Sequence, residues 1–395
     1  MTVTYLHSDL EGRARRLLLP EIFDYFAGGA SAELTMRRNR TAWSNFSLVP
    51  RLDAEIQHHD ARISLLGGMR PSPLLISPMA RLDLLGSGDE RDAAVAAGLC
   101  GVSFTASTRS SVRASVIAEY FRDTAQHRRV LRKLSPYHRE LYEELHDDQA
   151  GEPAFLVQLY LLASTELTTL LVDEAARSEL DALVVTLDTP VLGVRMRDLR
   201  RGYRIGAGAL EELAQSAGDA KGLGDSWWRD SRQSTSVSIQ TLETLVGEIQ
   251  VPVFAKGVLA SSALPFVRRW GASGIWISNH GGRQLDHVQS TADALAWQMQ
   301  PGESRSPFEV IVDGGVESAH AVIVAGCLGA SGVGLGRSAA WALVLGGSAG
   351  LASYLLELRM EMKRSLSLLG SAWYGALGPE YLATPSCARH ADVDE

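Results

Sequence analysis

Cysteine is scarce in this chain: Cys100, Cys327 and Cys387 are the only three among 395 residues, widely spaced and in no metal-binding or redox pattern. This excludes a disulfide framework and a cysteine-ligated metal centre, and it suits a reducing, cytoplasmic setting. No G-x-G-x-x-G follows a strand-like run, which speaks against a Rossmann nicotinamide site. Positive charge is not in excess either. The 38 Lys and Arg face 46 Asp and Glu, and the net charge of −8 argues against nucleic acid as a partner. The N-terminal stretch has no apolar h-region with a cleavage site, so a secretory signal is not expected. One uncharged run, Ser338 to Leu356, is long enough to be weighed as a membrane span. Its Gly, Ser and Ala content favours a buried helix, so the chain reads as soluble, with no membrane partner.

With 46% hydrophobic and 21% charged residues, the chain can bury a sizeable core. From residue 73 onward, short apolar runs alternate with helical stretches. The runs are Pro73–Ser77, Val102–Thr105, Phe155–Tyr160, Ala182–Asp188, Val251–Lys256, Gly274–Ser278, Glu309–Asp313 and Gly332–Gly336. Near-continuous apolarity marks parallel strands buried on both faces. Eight such β/α units predict an α/β fold, a TIM (β/α)8 barrel, forming one domain over residues 1–395. An N-terminal helical segment (1–72) precedes the barrel (73–370), and a tail (371–395) follows it. The spacing of Leu10, Ala14, Leu17 and Leu18, then Pro20, Ile22, Phe23 and Phe26, predicts the opening helices, which end at Gly28-Gly29.

Two segments interrupt the alternation. Residues 122–152 run from basic to acidic and predict a solvated helical insert on the bottom face, or else an oligomer or partner contact. Residues 202–238, rich in Gly, Ala and Ser with Trp227-Trp228, follow the fourth strand on the opposite face and suit a mobile lid.

Barrel enzymes carry their chemistry where the strands end. Thr105 ends the second run, Gln158 and Tyr160 the third, Thr186 and Asp188 the fourth, and Lys256 the fifth. Ser278 and His280 stand at the end of the sixth run, Asp313-Gly314-Gly315 at that of the seventh and Gly336-Arg337 at that of the eighth. Together these residues predict a ring around one mouth. The richest stretch is Ser278-Asn279-His280-Gly281-Gly282-Arg283-Gln284-Leu285-Asp286. It sets an acid-base imidazole three residues from a guanidinium able to hold a carboxylate or phosphate. That pairing is what proton abstraction from a small organic acid needs.

S-N-H-G-G-R-Q-L-D resembles the signature of the FMN-dependent 2-hydroxy-acid oxidases and dehydrogenases, and the resemblance extends over about residues 10–382. It implies FMN as cofactor, a 2-hydroxy acid as substrate, oxygen or another electron acceptor, and a homo-oligomer, often a tetramer. By the same resemblance His280 is the base and Asp188 orients it. Arg283 and Tyr25, the latter in a similar aromatic motif, clamp the substrate carboxylate. Tyr160 hydrogen-bonds near the reacting hydroxyl, Arg195 is a second cation, and Lys256 lies by the flavin N1. Pro78, Met79 and Ala80 resemble the segment that lies against the ring. Thr105, Gln158, Thr186 and Ser278 bond the ring and ribityl chain, while Asp313, Gly314, Gly315, Gly336 and Arg337 form the phosphate end. No metal is implied. Because no side chain is a suitable two-electron acceptor, a cofactor is chemically required for such an oxidation. Ser107, where glycolate-type relatives carry a bulky aromatic, leaves room for an aryl or long-chain acid.

The chain departs from the family pattern at three places. Gly86-Ser87-Gly88-Asp89-Glu90 stands where an H-P-E-G-E segment is usual, Val194 replaces a common arginine, and Glu317 stands where the family has a phosphate-binding arginine. The Glu317 carboxylate is expected to weaken FMN binding unless it turns outward. Two alternatives therefore stay open: a relative that passes electrons to a quinone or protein, and a flavin-poor barrel serving as a scaffold.

Overall fold

The computed structural model describes residues 4–6, 8–51, 61–147, 150–202, 209, 238–298 and 308–383. Eight parallel strands close into a barrel. They are β3 (Leu74–Ile76), β4 (Ser103–Ser107), β5 (Phe155–Leu159), β6 (Ala182–Thr186), β7 (Val253–Lys256), β8 (Gly274–Ile277), β9 (Glu309–Val312) and β10 (Gly332–Leu335), with β10 pairing β3. Each predicted run holds one of them. The second extends past its predicted end, because β4 keeps pairing with β5 as far as Ser107 opposite Gln158. Every residue of β3, β5, β6, β7, β8 and β10 is buried, as strands enclosed by side chains within and helices without must be.

A preceding antiparallel hairpin, β1 (Ile63–Leu65) and β2 (Gly68–Arg70), covers the N-terminal end of the barrel. Leu65 is fully buried there, Leu66 N–H is held by Glu309 at the start of β9, and Arg70 reaches Asp181 just before β6 at 3.3 Å.

The helices begin where short polar side chains cap them. Asp89, Asp123, Ser135, Ser164, Ser238 and Ser318 each accept a first-turn backbone N–H. Helix Pro20–Ala27 stops as expected, but Gly28 continues in extended rather than left-handed backbone. Its Phe23 stacks on Trp341 with centroids 5.5 Å apart, a geometry worth about 1 kcal/mol beyond burial.

Among the described residues one helix, Arg337–Leu369, has the length and hydropathy to cross a membrane, and 78% of its most apolar window is buried in the fold. It kinks at Gly346-Gly347 and lies along the outside of the barrel.

The charged insert forms two helices, Thr124–Lys133 and Pro136–Leu145. It is less solvated than its charge implies, because each helix buries one face. Val130, Leu134, His138 and Leu141 are buried, and His138 Nε2 meets Glu357 of the long helix at 2.8 Å. The predicted lid lies almost wholly outside the described residues. The predicted tail docks as far as Ala383, where Ala383 N–H bonds Ser47 O at 2.9 Å and Leu48 bridges Leu382.

Candidate active site

The C-terminal mouth of the barrel gathers the predicted polar residues into two connected groups. The inner group lies deep between strand ends. Lys256 Nζ donates to Ser278 Oγ at 2.7 Å and stands 3.1 Å from Asp313 Oδ2, while Ser278 Oγ donates to Asp313 Oδ1 at 2.6 Å. Ser77, at the end of the first run, donates to the same carboxylate at 3.3 Å. Alongside, Gln158 Nε2 donates to Thr186 Oγ1 at 2.9 Å, and Ser107 Oγ donates to Gln158 Oε1 at 3.2 Å. Lys256 also sits over the Trp276 ring.

The outer group is built on the loop after β8. His280, Gly281 and Gly282 all take left-handed backbone, with φ of 59°, 65° and 75°. For His280 this is a strained conformation costing on the order of 1 kcal/mol, and such outliers gather at functional sites. A Cβ at Gly282 would lie 2.6 Å from Met36 N, so only glycine lets this loop meet the N-terminal segment. The turn aims the His280 ring so that Nδ1 stands 3.2 Å from Asp188 Oδ1 and Nε2 stands 3.4 Å from Tyr160 Oη. Burial opposes ionisation of Asp188, yet the His280 charge and hydrogen bond, with Lys256 beyond, hold its carboxyl below the ordinary range. Burial and the Asp188 charge push the Tyr160 phenol up, so it remains a proton donor.

Arg283 Nη1 donates to the carbonyls of Tyr25 at 2.7 Å and Gly28 at 2.8 Å. Among the described residues its other guanidinium nitrogens make no hydrogen bond. Its charge lies 5.1 Å from the centre of the Tyr25 ring, and Arg195 lies 6.0 Å from it. Burial, then the neighbouring Arg195 and Arg337 charges, push Arg283 down to about 9, so it stays cationic at neutral pH. Packed cations of this kind make an anion site.

Arg337 gives three of its five N–H groups to the protein itself. Its guanidinium donates to Phe26 O, Gly28 O and Gly281 O at 3.0, 2.9 and 2.9 Å, tying the N-terminal segment to the signature loop. Two residues without an assigned role also stand here. Arg109, in the turn after β4, lies close enough to the Tyr160 and Tyr25 hydroxyls to couple with them electrostatically, and burial lowers its pKa. Its sequence signal was its place two residues past a barrel strand. Asn39 exchanges paired amide hydrogen bonds with Asn279 at 2.7 and 2.8 Å, a contact without sequence precursor.

The mouth fits FMN. Thr105 Oγ1, Asp188 Oδ2 and Arg195 Nε are buried without a hydrogen-bond partner among the described residues. Buried polar atoms are nearly always paired, so these three mark where a ligand's own donors and acceptors belong. A flavin ring offers both along its edge. Pro78, Met79 and Ala80 leave β3 at the same mouth in irregular backbone.

Known proteins share this fold. The chain is 31% identical over 379 residues to a 4-hydroxymandelate oxidase of Amycolatopsis orientalis, covering 95% of this chain and 97% of that one. It is 30% identical to an L-lactate oxidase of Nostoc sp., covering 92% and 93%. A crystal structure of mandelate oxidase with benzoyl-formic acid superposes with a TM-score of 0.78 at 28% identity, covering 96% of this chain and 98% of that one. A family model described as FMN-dependent dehydrogenase matches residues 14–384, and the chain belongs to that family as an oxidoreductase whose cofactor is FMN.

Proposed function

We propose that this enzyme oxidises an aryl 2-hydroxy acid to the 2-oxo acid, with oxygen as the final acceptor. The observation that carries the proposal is the line Asp188–His280–Tyr160 lying beside Arg283, Tyr25 and Arg195. The substrate carboxylate docks between the cations, with Arg283 and Tyr25 as its clamp and Arg195 above. Its 2-hydroxyl then falls towards Tyr160 and His280. Asp188 holds Nδ1–H of the imidazole, which leaves Nε2 with the lone pair that accepts the substrate proton, and Asp188 stabilises the imidazolium formed. FMN, when bound, supplies the two-electron acceptance that no side chain offers. Lys256, fixed by Ser278 and Asp313, adds positive charge there, and Thr105, Gln158 and Thr186 contribute hydrogen-bonding groups to the ring.

The aryl preference rests on Ser107, a small half-buried residue at the mouth, and on similarity to the mandelate and hydroxymandelate oxidases. The enzyme is proposed to work in the cytoplasm, where its buried Cys100 and Cys327 thiols, pushed up to about 12 by burial, stay reduced. A homo-oligomer without a membrane partner is proposed as well. The deciding experiment mixes the protein without oxygen with mandelate, 4-hydroxymandelate, lactate and glycolate, following the flavin absorption bands. Bleaching by the aryl acids, and oxygen consumption on re-aeration, is the expected result. Bleaching by none of the four overturns the substrate class, and bleaching without oxygen uptake overturns the acceptor.

A further inference from the structure

The loops after the seventh and eighth strands of a barrel are the usual seat of a phosphate. Here these are Asp313–Gly315 and Gly336–Arg337. The first is packed against helix Leu34–Ala42: a Cβ on Gly315 would lie 2.1 Å from Asn39 O and 2.8 Å from Arg40 N. Trp43 Nε1 fastens the same loop through Gly314 O at 2.9 Å. Arg40 is thereby fixed beside the phosphate-seating loops, although it comes from outside the barrel. Its Nε lies 3.2 Å from Glu317 Oε1, two residues past Gly315, and its Nη2 is bonded by Glu11.

The charge arithmetic at this end is unusual. Two cations, Arg40 and Arg337, stand among the carboxylates Glu11, Glu317 and Glu33, so positive charge is not in excess before any ligand enters. Arg337 directs three of its five N–H groups to backbone carbonyls, which leaves it fewer for a ligand. Arg40 keeps 34% of its side chain exposed and Glu317 keeps 46%, so the pair between them sits in water and can exchange. Electrostatic coupling agrees with this proximity, since after burial the charge of Arg40 is the largest influence lowering Arg337 to about 10.

We propose that Arg40, supplied by the N-terminal helical segment, is the cation that meets the FMN phosphate, and that Glu317 competes with the phosphate for it. Glu11 retains Arg40 in place when Glu317 lets go. FMN binding thus exchanges one anionic partner of Arg40 for another, and affinity is set by how firmly Glu317 holds. The inference rests on FMN as the cofactor and is independent of which acid is oxidised.

The test titrates flavin-stripped full-length protein with FMN and with riboflavin, which lacks the phosphate, following quenching of flavin fluorescence. Glu317→Gln removes the competing charge and is expected to tighten FMN on the order of 10-fold, and Arg40→Gln to weaken it roughly 10- to 100-fold. Riboflavin affinity stays unchanged in both variants, which separates a phosphate effect from damage to the fold. Equal weakening of FMN and riboflavin in Arg40→Gln overturns the proposal, because Arg40 would then be structural. So does a Glu317→Gln protein that binds FMN no tighter than the parent. Should Arg40→Gln fail to fold, the Glu317→Gln titration alone decides.

Discussion

Asp286 Oδ1 accepts the backbone N–H of Thr35 at 2.8 Å, across 251 positions of sequence. Its Oδ2 accepts from Ala32 N and Leu34 N at 3.0 and 3.3 Å. Helix Leu34–Ala42 has no side-chain cap of its own, since Glu33 makes none. The last residue of the catalytic signature therefore caps a helix of the N-terminal segment, satisfying donors that the helix leaves open and meeting the positive end of its dipole.

This cap has a pH signature. Burial works against ionisation, but the backbone N–H groups of Thr35, His287 and Leu34 outweigh it and draw the Asp286 carboxyl down to about 2. A depressed folded-state pKa contributes stability that is fully present above the unfolded value, near 3.9, and is lost as pH falls through about 2. Asp286→Asn should therefore cost about 2 kcal/mol at neutral pH, and flatten the acid limb of the stability curve. Urea unfolding at a series of pH values from 2 to 7 (roughly the span of that limb) measures both. Parallel curves for parent and variant would remove the cap from the account.

The catalytic line makes a kinetic prediction. Asp188 reaches His280 Nδ1 at 3.2 Å, and its carboxylate stays ionised although buried. Asp188→Asn keeps the shape but offers His280 an amide, so imidazolium is no longer stabilised. We expect kcat to fall by about 10²- to 10⁴-fold, with FMN still bound. Stopped-flow measurement of flavin bleaching isolates that step. A loss confined to KM would assign Asp188 to substrate binding instead.

Barrel strands were legible because strands buried on both faces are nearly continuously apolar, and the eight runs come close to that, with their polar residues gathered mainly towards the ends. The polar residues at their ends were legible for the complementary reason, since a buried polar group is retained only where something pairs with it. What could not be read were the contacts that cross the chain. Asn39 meets Asn279 across 240 positions, and Arg40 meets Glu317 across 277. Nothing in either local sequence distinguishes them from solvated residues. Glu317 illustrates the difference: in the sequence it reads as an unopposed charge at the phosphate end, whereas the fold supplies Arg40 to oppose it. Glu90 behaves alike, as a buried carboxylate bonded by Ser111 N–H at 2.9 Å and Leu82 N–H at 3.1 Å.

The inner group predicts a stability effect. Lys256 and Asp313 are both buried and lie 3.1 Å apart. Lys256→Met leaves the carboxylate uncompensated apart from the hydroxyls of Ser278 and Ser77, and breaking a buried pair in this way costs roughly 3–5 kcal/mol. Denaturant unfolding of the flavin-free protein is the relevant measurement, because bound flavin would add its own stabilisation. The double variant Lys256→Met with Asp313→Leu should recover part of the loss. If it is no more stable than the single variant, charge is not the cause.

Substrate size is predicted to turn on Ser107. Its hydroxyl donates to Gln158 Oε1 and accepts the Arg109 N–H at 3.1 Å, so the residue closes the turn that carries Arg109 towards Tyr160 and Tyr25. On the substrate pose proposed above, a small side chain here would leave room beside the reacting carbon. Ser107→Trp would fill it with an indole while leaving His280, Asp188 and Arg283 untouched. Short 2-hydroxy acids carry nothing into that space, whereas a phenyl ring must occupy it or be displaced from the productive pose. Overpacking a site in this way typically costs about 1–3 kcal/mol, which corresponds to roughly 5- to 150-fold in kcat/KM. We therefore expect kcat/KM for mandelate to fall by that factor relative to lactate. FMN absorbance and thermal stability serve as controls for the Gln158 contact that is also lost. An unchanged mandelate-to-lactate ratio in a flavin-loaded variant would place the substrate's side chain elsewhere in the mouth and withdraw Ser107 from the argument for aryl substrates.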